Sequence, residues 1–263
     1  MKLSQQIPMT MISTTEGSDH VTIVSFGCSV VGPGNIKRSF DCQDAWARKS
    51  WRVPSGVACA IAIADGMGSR SESRAGAKTA TRCALKAAKR WIEHPSIGTD
   101  WLIRWLEAEW RYAIGNHDPK ECSTTCWLIV RSPDSGTLVM GLGDGLAILT
   151  GEDGKIEGLF GRAPEGYANE TLALGAPHKQ SDWQIRLFPG SQLHQTAILT
   201  TDGVADDLLE QKLSSFSEWV SSKAELKNPG RALRSALQSW PVKSHTDDKT
   251  IAAIVWNRTK NHS

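Results

Sequence analysis

GVACAIAIAD, residues 56–65, is the stretch of this sequence that decides the fold. Its apolar run is continuous rather than alternating, which predicts a β-strand covered on both faces. The run ends at Asp65-Gly66. A carboxylate at that position projects from the rim of a sheet, and the flexible glycine lets a backbone carbonyl approach a ligand closely. The stretch therefore predicts a buried sheet with an acidic group at its edge.

Strand-like and helical patterns continue on both sides of this run. Residues 21–32 are rich in β-branched side chains, GPGN at 32–35 is a turn signal, and residues 44–51 alternate between apolar and polar. Helical spacing covers 72–93, and Asp100 is placed to cap a second helix ending near Ile114. Further strands are predicted at 125–131, 137–143, 146–151, 155–160, 183–188, 197–202 and 250–258, and further helices at 204–224 and 229–240.

The order of these elements indicates the fold class. Strands, a helix pair, strands, helices and a strand do not alternate as they would in a parallel doubly wound sheet. We therefore expect an α+β protein with antiparallel sheets and segregated helices. No linker or repeat divides the 263 residues, so we expect a single domain over 21–260, preceded by a loose tail or edge segment at 1–20.

Composition excludes several classes of partner. The net charge is only +2 and the 30 Lys and Arg residues are spread out, so neither a nucleic-acid face nor a membrane surface is expected. The densest basic group, Lys86, Lys89 and Arg90, is interpreted as the solvated side of a helix. No apolar run is long enough to cross a bilayer. Six scattered cysteines without a CxxC pair or a signal peptide predict reduced thiols and a cytoplasmic protein.

Four aspartates lie next to separate strand-like runs: Asp44, Asp65, Asp202 and Asp247. Carboxylates gathered at strand ends are typical ligands of hard divalent cations, and they repel one another unless a cation neutralises them. Because no His or Cys cluster accompanies them, Mg²⁺ or Mn²⁺ is expected rather than Zn²⁺. Two such ions can activate a water molecule and hold a phosphoryl group. His245 is the only histidine near these acids and is interpreted as incidental.

Six motifs follow one another along the chain: CQDAWA (42–47), AIADGMGSRSESRAGAKTA (62–80), STTCWLIV (123–130), GLGDGLAIL (141–149), LTTDGVADDL (199–208) and TDDKTIAAIVW (246–256). In this order they resemble the motifs of the metal-dependent protein phosphatase 2C family, in particular its compact bacterial branch. That resemblance implies a β-sandwich of two antiparallel sheets flanked by helix pairs.

The resemblance also implies roles for the acidic residues. Asp65 would bridge two metal ions, with the carbonyl of Gly66 on one ion and Asp202 and Asp247 on the other. Asp44 would hydrogen-bond metal-bound water. The nucleophile would be a water or hydroxide bridging the two ions, because two cations lower its pKa, and it would attack phosphorus directly without a phospho-enzyme. Asp44, Asp65, Asp202 and Asp247 are thus the expected catalytic residues.

Other positions match the family pattern less closely. Asp144 and Asp206 correspond to ligands of a third, weaker metal. Gln43 stands where many relatives have Glu, and its uncharged amide would hold the second metal more weakly. Asp248 replaces the usual Asn, so metal binding could pass between Asp247 and Asp248.

The residues that contact the substrate are less sharply defined. Arg38, with Lys37 beside it, is the nearest candidate for the phosphate-binding arginine. Its distance in sequence from the first acidic motif differs by about one residue from the spacing in the family. Asn169 falls in a segment that resembles the border of the active site, and a purely structural loop is an equal alternative there.

The function implied by the resemblance is hydrolysis of phosphoserine and phosphothreonine monoesters. The expected partners are phosphorylated proteins, with a Ser/Thr kinase as the opposing enzyme, and the protein is expected to be a monomer. Two alternatives stay open. Gln43 and the uncertain arginine are consistent with a catalytically impaired relative that binds phosphoproteins. A different two-metal hydrolase would prefer phosphodiesters.

Overall fold

The computed structural model describes residues 10–16, 19–161, 172–190, 194–242 and 245–260. In these ranges, strands of two antiparallel sheets pack face to face. The first sheet has the order β1-β2-β11-β10-β7-β8 and the second the order β3-β4-β5-β6-β9. The strands are β1 Thr10–Glu16, β2 Asp19–Val30, β3 Ala45–Val53, β4 Gly56–Ala64, β5 Cys126–Ser132, β6 Gly136–Leu142, β7 Leu146–Thr150, β8 Ile156–Phe160, β9 Gln184–Phe188, β10 Thr196–Thr200 and β11 Lys249–Lys260.

Helices cover the outer face of each sheet. Helices α2 and α3 pack on the second sheet, whereas α5 and α6 pack on the first. Two shorter helices, α1 and α4, lie at the ends of strands. The helices are α1 Pro33–Lys37, α2 Ser73–Glu93, α3 Thr99–Ala113, α4 Asp202–Ala205, α5 Leu213–Ser222 and α6 Pro229–Gln238.

Strand β4 lies in the middle of this stack, and its two faces are different. Ala60, Ala62 and Ala64 face α2, so small side chains let the helix approach the sheet closely. Ile61 and Ile63 face the opposite sheet and fill the space between the sheets. All nine residues of β4 except Gly56 are buried. The prediction of a strand covered on both faces is confirmed, and so is the predicted α+β sandwich.

Several local predictions were wrong. GPGN does not form an isolated turn, because Pro33 starts helix α1, where its fixed φ suits the first turn. Helix α3 is capped by Gly98, and Asp100 lies inside its first turn, where a negative charge favours the helix dipole. The predicted helix at 204–224 is broken between α4 and α5.

The N-terminal segment contains regular structure. Residues 10–16 form β1, which is the edge strand of the first sheet, and β2 begins at Asp19. The proposed division into 1–20 and a single domain over 21–260 stays a prediction. All six cysteines lie in the described ranges, and none of them forms a disulfide. No helix among the described residues combines the length and apolar character needed to span a bilayer.

Candidate metal centre

The acidic residues meet at one end of the sandwich, where strands of both sheets start or stop. Asp44 immediately precedes β3 and Asp65 immediately follows β4, and these strands pair with Ala45 opposite Ala64. In the other sheet, Asp202 follows β10 and Asp247 precedes β11, which are likewise neighbours. The antiparallel pairing therefore explains why four residues far apart in the sequence share one edge.

Asp44 connects the two sheets at this edge. Its side chain is buried, and its Oδ2 accepts hydrogen bonds from the hydroxyls of Thr201 at 2.8 Å and Thr250 at 2.7 Å. Its Oδ1 is also buried and has no hydrogen-bond partner among the described residues. Burial raises the pKa of Asp44 to about 7, although the two hydroxyl groups lower it. A buried carboxylate oxygen without a donor is a place where a cation or its bound water would be stabilising.

Asp65 and Asp202 form the centre of the cluster. Their carboxyl groups lie close together, and each shifts the pKa of the other. Loss of hydration raises the pKa of Asp65 well above its usual value, and the charges of Asp44 and Asp202 raise it further. Loss of hydration also raises the pKa of Asp202, with Asp144 and Asp247 as neighbouring negative charges. The pair is thus a carboxylate site that favours a positive charge.

Gly66 is required by a close backbone approach. A Cβ at this position would lie 2.8 Å from the backbone oxygen of Ser73 and 2.9 Å from that of Gln43. The side chain of Gln43 in turn donates from Nε2 to Ser73 Oγ at 2.9 Å. The start of α2, the Asp65-Gly66 corner and the segment before Asp44 therefore pack as one unit.

Asp248 faces α1. Its Oδ1 accepts from the Gly32 amide at 2.6 Å, and its Oδ2 accepts from the Gln43 amide at 2.6 Å and from Asn35 Nδ2 at 2.9 Å. Asn35 Oδ1 then accepts from Arg38 Nη2 at 2.8 Å. Both oxygens of Asp248 are therefore engaged in holding α1 against the site, and this chain of contacts also orients Arg38. A direct metal contact by Asp248 stays a prediction.

Asp247 is held by a histidine. Its side chain is 63% exposed, and its Oδ2 lies 3.3 Å from His245 Nε2. His245 Nδ1 lies 3.1 Å from Asp207 Oδ1, and Asp207 Oδ2 accepts from Trp240 Nε1 at 2.7 Å. His245, which the sequence indicates as incidental, therefore contacts one of the predicted ligands. They form a row of contacts from the indole of Trp240 to the exposed carboxylate of Asp247.

Two further predicted residues belong to the same cluster. The charge of Asp144 raises the pKa of Asp65, Asp202 and Asp206. The pKa of Asp206 is raised, chiefly by loss of hydration. His245 lowers this pKa, whereas the charge of Asp247 raises it.

The donor set fits a hard cation, because every candidate ligand is an oxygen. In the described part of the chain, however, no three or more His, Cys, Asp or Glu side chains are arranged as a ready metal cage. Asp65 and Asp202 instead lie close to each other, and Asp247 lies against His245. Carboxylates this close repel one another unless positive charge is supplied. The individual ligand roles stay predictions.

The candidate phosphate-binding residues lie beside this cluster. Lys37 and Arg38 are exposed at the end of α1. Arg38 also stacks over the Phe40 ring at 5.4 Å. Asn169 lies outside the described residues.

Sequence reasoning missed the residues that support the acids, chiefly Thr201, Thr250, Asn35 and Ser73. The two threonines stand close to Asp202 and Asp247 in the chain, so hydroxyls flanking acidic motifs were the available signal. Their shared partner is Asp44, which lies 157 and 206 residues away. Nothing in the local sequence indicates that distant contact.

A two-sheet sandwich with a carboxylate-lined rim defines the class of this molecule as a candidate metal-dependent hydrolase. The family model described as protein phosphatase 2C matches residues 31–240. The chain belongs to the protein phosphatase 2C family.

Solved structures with the same fold are distant in sequence. Serine-threonine phosphatase 2C from Toxoplasma gondii is 14% identical with a TM-score of 0.58, over 95% of this chain and 99% of that chain. The catalytic domain of the phosphatase PstP, solved with two manganese ions, is 16% identical with a TM-score of 0.56, over 90% and 99%. The phosphatase MsPP from Mycobacterium smegmatis, solved with cacodylate, is 17% identical with a TM-score of 0.53, over 88% and 97%. No curated sequence matches significantly.

Proposed function

We propose that this chain hydrolyses phosphoserine and phosphothreonine monoesters in proteins, by direct attack of a water molecule or hydroxide on phosphorus. Family membership supports a metal-dependent protein phosphatase in general. The observation that carries the proposal for this chain is the meeting of Asp44, Asp65 and Asp202, from three distant segments, at one rim. Carboxylates gathered this closely repel one another, so the rim favours a bound cation.

The residues that would hold Mn²⁺ or Mg²⁺ are Asp65 with the carbonyl of Gly66, together with Asp202 and Asp247. The unpartnered Oδ1 of Asp44 would accept a hydrogen bond from bound water. Such ions would supply positive charge that acidifies the attacking water and neutralises the phosphoryl oxygens. PstP was solved with two manganese ions and RsbX with magnesium, which supports this choice of cations. Asp144 and Asp206 are the candidates for a third ion.

The chain's own residues supply binding and positioning. Arg38 presents a guanidinium that can bind two phosphate oxygens at once, and Lys37 adds a second positive charge. Asn35 and Asp248 orient Arg38 through the contacts described above. Gln43 brings an amide oxygen without charge, so we expect weaker metal binding than a Glu would give.

The proposed partners follow from this reaction. Substrates would be phosphorylated proteins, and a Ser/Thr kinase would be the opposing enzyme. We further propose that the protein acts as a cytoplasmic monomer without a nucleic-acid or membrane partner.

The test measures phosphate release from a phosphothreonine peptide, and release of the phenol from an aryl phosphate monoester and from an aryl phosphodiester, each with and without Mn²⁺. Metal-dependent turnover of both monoesters and little turnover of the diester is the expected result. The Asp202→Asn protein is the inactive control, because it loses one charged candidate ligand. A preference for the diester would refute the proposal. Absence of turnover, with phosphopeptide binding retained, would instead favour the impaired, phosphoprotein-binding alternative.

A further inference from the structure

The exposed face of α2 carries a regular row of positive charge. Basic residues recur at every fourth position, so consecutive members are neighbours about 40° apart around the helix, and the row winds gradually along it. All of them are exposed. The first and last members are 16 positions apart, so the row is about 24 Å long at 1.5 Å per residue. We call it the α2 basic stripe, and its members are Arg74, Lys78, Arg82, Lys86 and Arg90.

The stripe does not stabilise the helix that carries it. Helix α2 contains six basic residues but only one acidic residue, Glu93, while the whole chain has a net charge of just +2. Like charges four residues apart destabilise a helix by about 0.2–0.5 kcal/mol per pair. Positive charge near the helix start also opposes the helix dipole, and the first turn contains no acidic residue. Arg74 and Lys86 pair with carboxylates and Arg90 lies over the Trp105 ring at 5.1 Å, so the charge without such a contact is at Lys78 and Arg82.

The middle of the stripe is available to a partner. Arg74 at one end pairs with Asp41, and Lys86 pairs with Glu109. Lys78 and Arg82 have no carboxylate within 4.0 Å among the residues that the structure describes, and the Arg82 Nε donates only to the backbone oxygen of Lys78. Two adjacent cations therefore face solvent without a carboxylate in ion-pair range in the described part of the chain.

A second basic group flanks the stripe. Lys49 is exposed on β3, the edge strand of the second sheet. Its cross-strand partner is Ala60, whose side chain belongs to the core beneath α2. Lys49 therefore lies on the side of the sheet that carries α2, and it widens the positive surface.

The stripe begins at the candidate metal centre. Arg74 follows Ser73, which accepts the hydrogen bond from Gln43 and packs against Gly66. The helix is also fixed in place, because a Cβ on Gly76 would lie 1.8 Å from the backbone oxygen of Cys122. A segment bound along α2 would thus be held at a constant distance from the site.

We propose that the α2 basic stripe binds an acid-rich segment of the phosphoprotein substrate, next to the phosphorylated residue. This inference rests on the proposed function, since it assigns a substrate class to the same site. An extended chain advances about 3.3 Å per residue, so the stripe matches roughly seven residues. Asp or Glu side chains in that segment would pair with Lys78 and Arg82, and binding there would raise kcat/KM by holding the phosphoryl group at the site.

An acidic polypeptide fits this surface better than a bilayer or a nucleic acid does. The stripe is narrow, and carboxylates lie along it: Asp41 at its start, Glu109 beside Lys86, and Glu93 near its end. The phosphate groups of a bilayer or a nucleic acid cover a broad surface, so they would also be repelled by these carboxylates. A single extended chain can follow the row of cations alone.

The experiment compares two phosphothreonine peptides of equal length, one flanked by Asp and Glu and the other by Ser and Gln. The wild-type protein, with Mn²⁺ at low salt, should prefer the acid-rich peptide in kcat/KM by about tenfold, which two or more exposed ion pairs can supply. The Lys78→Gln/Arg82→Gln protein should reduce that preference to about twofold or less. Its turnover of p-nitrophenyl phosphate should stay unchanged, and 0.5 M NaCl should remove the wild-type preference. The matched control is Lys212→Gln/Lys227→Gln, which removes two exposed lysines outside α2 and should keep the full preference.

The outcomes separate this inference from the proposed function. Equal turnover of both peptides by the wild-type protein, or a preference that survives Lys78→Gln/Arg82→Gln, overturns the stripe but leaves the phosphatase intact. If no peptide is hydrolysed, the proposed function fails. Fluorescence anisotropy of a labelled, unphosphorylated Asp/Glu peptide then tests the stripe alone, and loss of binding in the double variant upholds it. Tighter, stripe-dependent binding to duplex DNA or phosphatidylserine vesicles than to this peptide overturns it.

Discussion

Replacing Asp44 by Asn should make the stability of the metal-free protein less dependent on pH. Burial raises the pKa of Asp44 from 3.8 to about 7. A carboxyl group whose pKa is raised by folding stabilises the fold fully below pH 3.8, and this contribution is lost as the pH rises through 7. A pKa difference of one unit between the folded and unfolded states corresponds to about 1.4 kcal/mol. The stabilisation that is lost, relative to low pH, is therefore roughly 1.7 kcal/mol at pH 5 and about 4 kcal/mol at pH 8. Asn carries no ionisable proton, so the stability of the variant relative to wild type should increase by about 2–3 kcal/mol between these two pH values.

Urea unfolding after EDTA treatment measures this difference. The comparison within one variant cancels the pH-independent cost of leaving the introduced amide without a partner, which is about 1–3 kcal/mol. Asp134→Asn is the control, because Asp134 is exposed in the turn between β5 and β6, and it should change stability by less than about 0.5 kcal/mol at either pH. Mn²⁺ should stabilise the wild type more than Asp44→Asn. An effect of Asp44→Asn that is equal in size at pH 5 and pH 8 would refute the reasoning.

Three further predictions concern the surroundings of the acids. Gly66→Ala should lower the free energy of unfolding by about 1–3 kcal/mol, because the added Cβ would lie 2.8 Å from backbone atoms. Gly68→Ala is the control, because its Cβ would meet only a side-chain oxygen at 3.6 Å, and it should have little effect in the same urea titration. Equal losses of stability in the two variants would contradict the prediction. Gln43→Glu should lower the Mn²⁺ concentration needed for half-maximal activity, since it adds a negative charge, and an unchanged metal titration would show that the side chain is not a ligand. His245→Ala should weaken Mn²⁺ binding, measured by calorimetry, about 10- to 100-fold, because Asp247 loses the side chain that contacts it. His245→Gln should retain part of the affinity. Wild-type affinity in both variants would exclude a positioning role for His245.

The sandwich could be predicted because its signals are local. The unbroken apolar run of β4 and the helical spacing of α2 each specify a buried element without reference to the rest of the chain. Errors occur where the local signal is ambiguous. A proline and two glycines at 32–35 suit either a turn or the first turn of a helix, and only the contacts of Asn35 with Asp248 decide for α1.

The acids of the site could also be predicted, because each stands at the end of a strand. Their partners could not. His245 is two residues from Asp247 in the sequence, but its other contact is with Asp207, which is distant in the sequence. The carboxylate of Asp207 in turn accepts a hydrogen bond from Trp240. Asp248 lies in an acidic motif and resembles a ligand, while its hydrogen bonds to Gly32 and Asn35 appear only in three dimensions. Local sequence identifies reactive groups, and tertiary structure decides what each group contacts.

The hydrogen bonds that join Asp44 to Thr201 and Thr250 have a consequence for biosynthesis. During translation, Asp44 leaves the ribosome about two hundred residues before its last partner does, a delay of roughly 10–40 s at 5–20 residues per second. Throughout that interval the rim is incomplete, because Asp44 lacks the hydroxyl groups that hold it. Any activity that depends on the complete rim would thus begin only when β11 joins the sheet, and incomplete chains would be inactive.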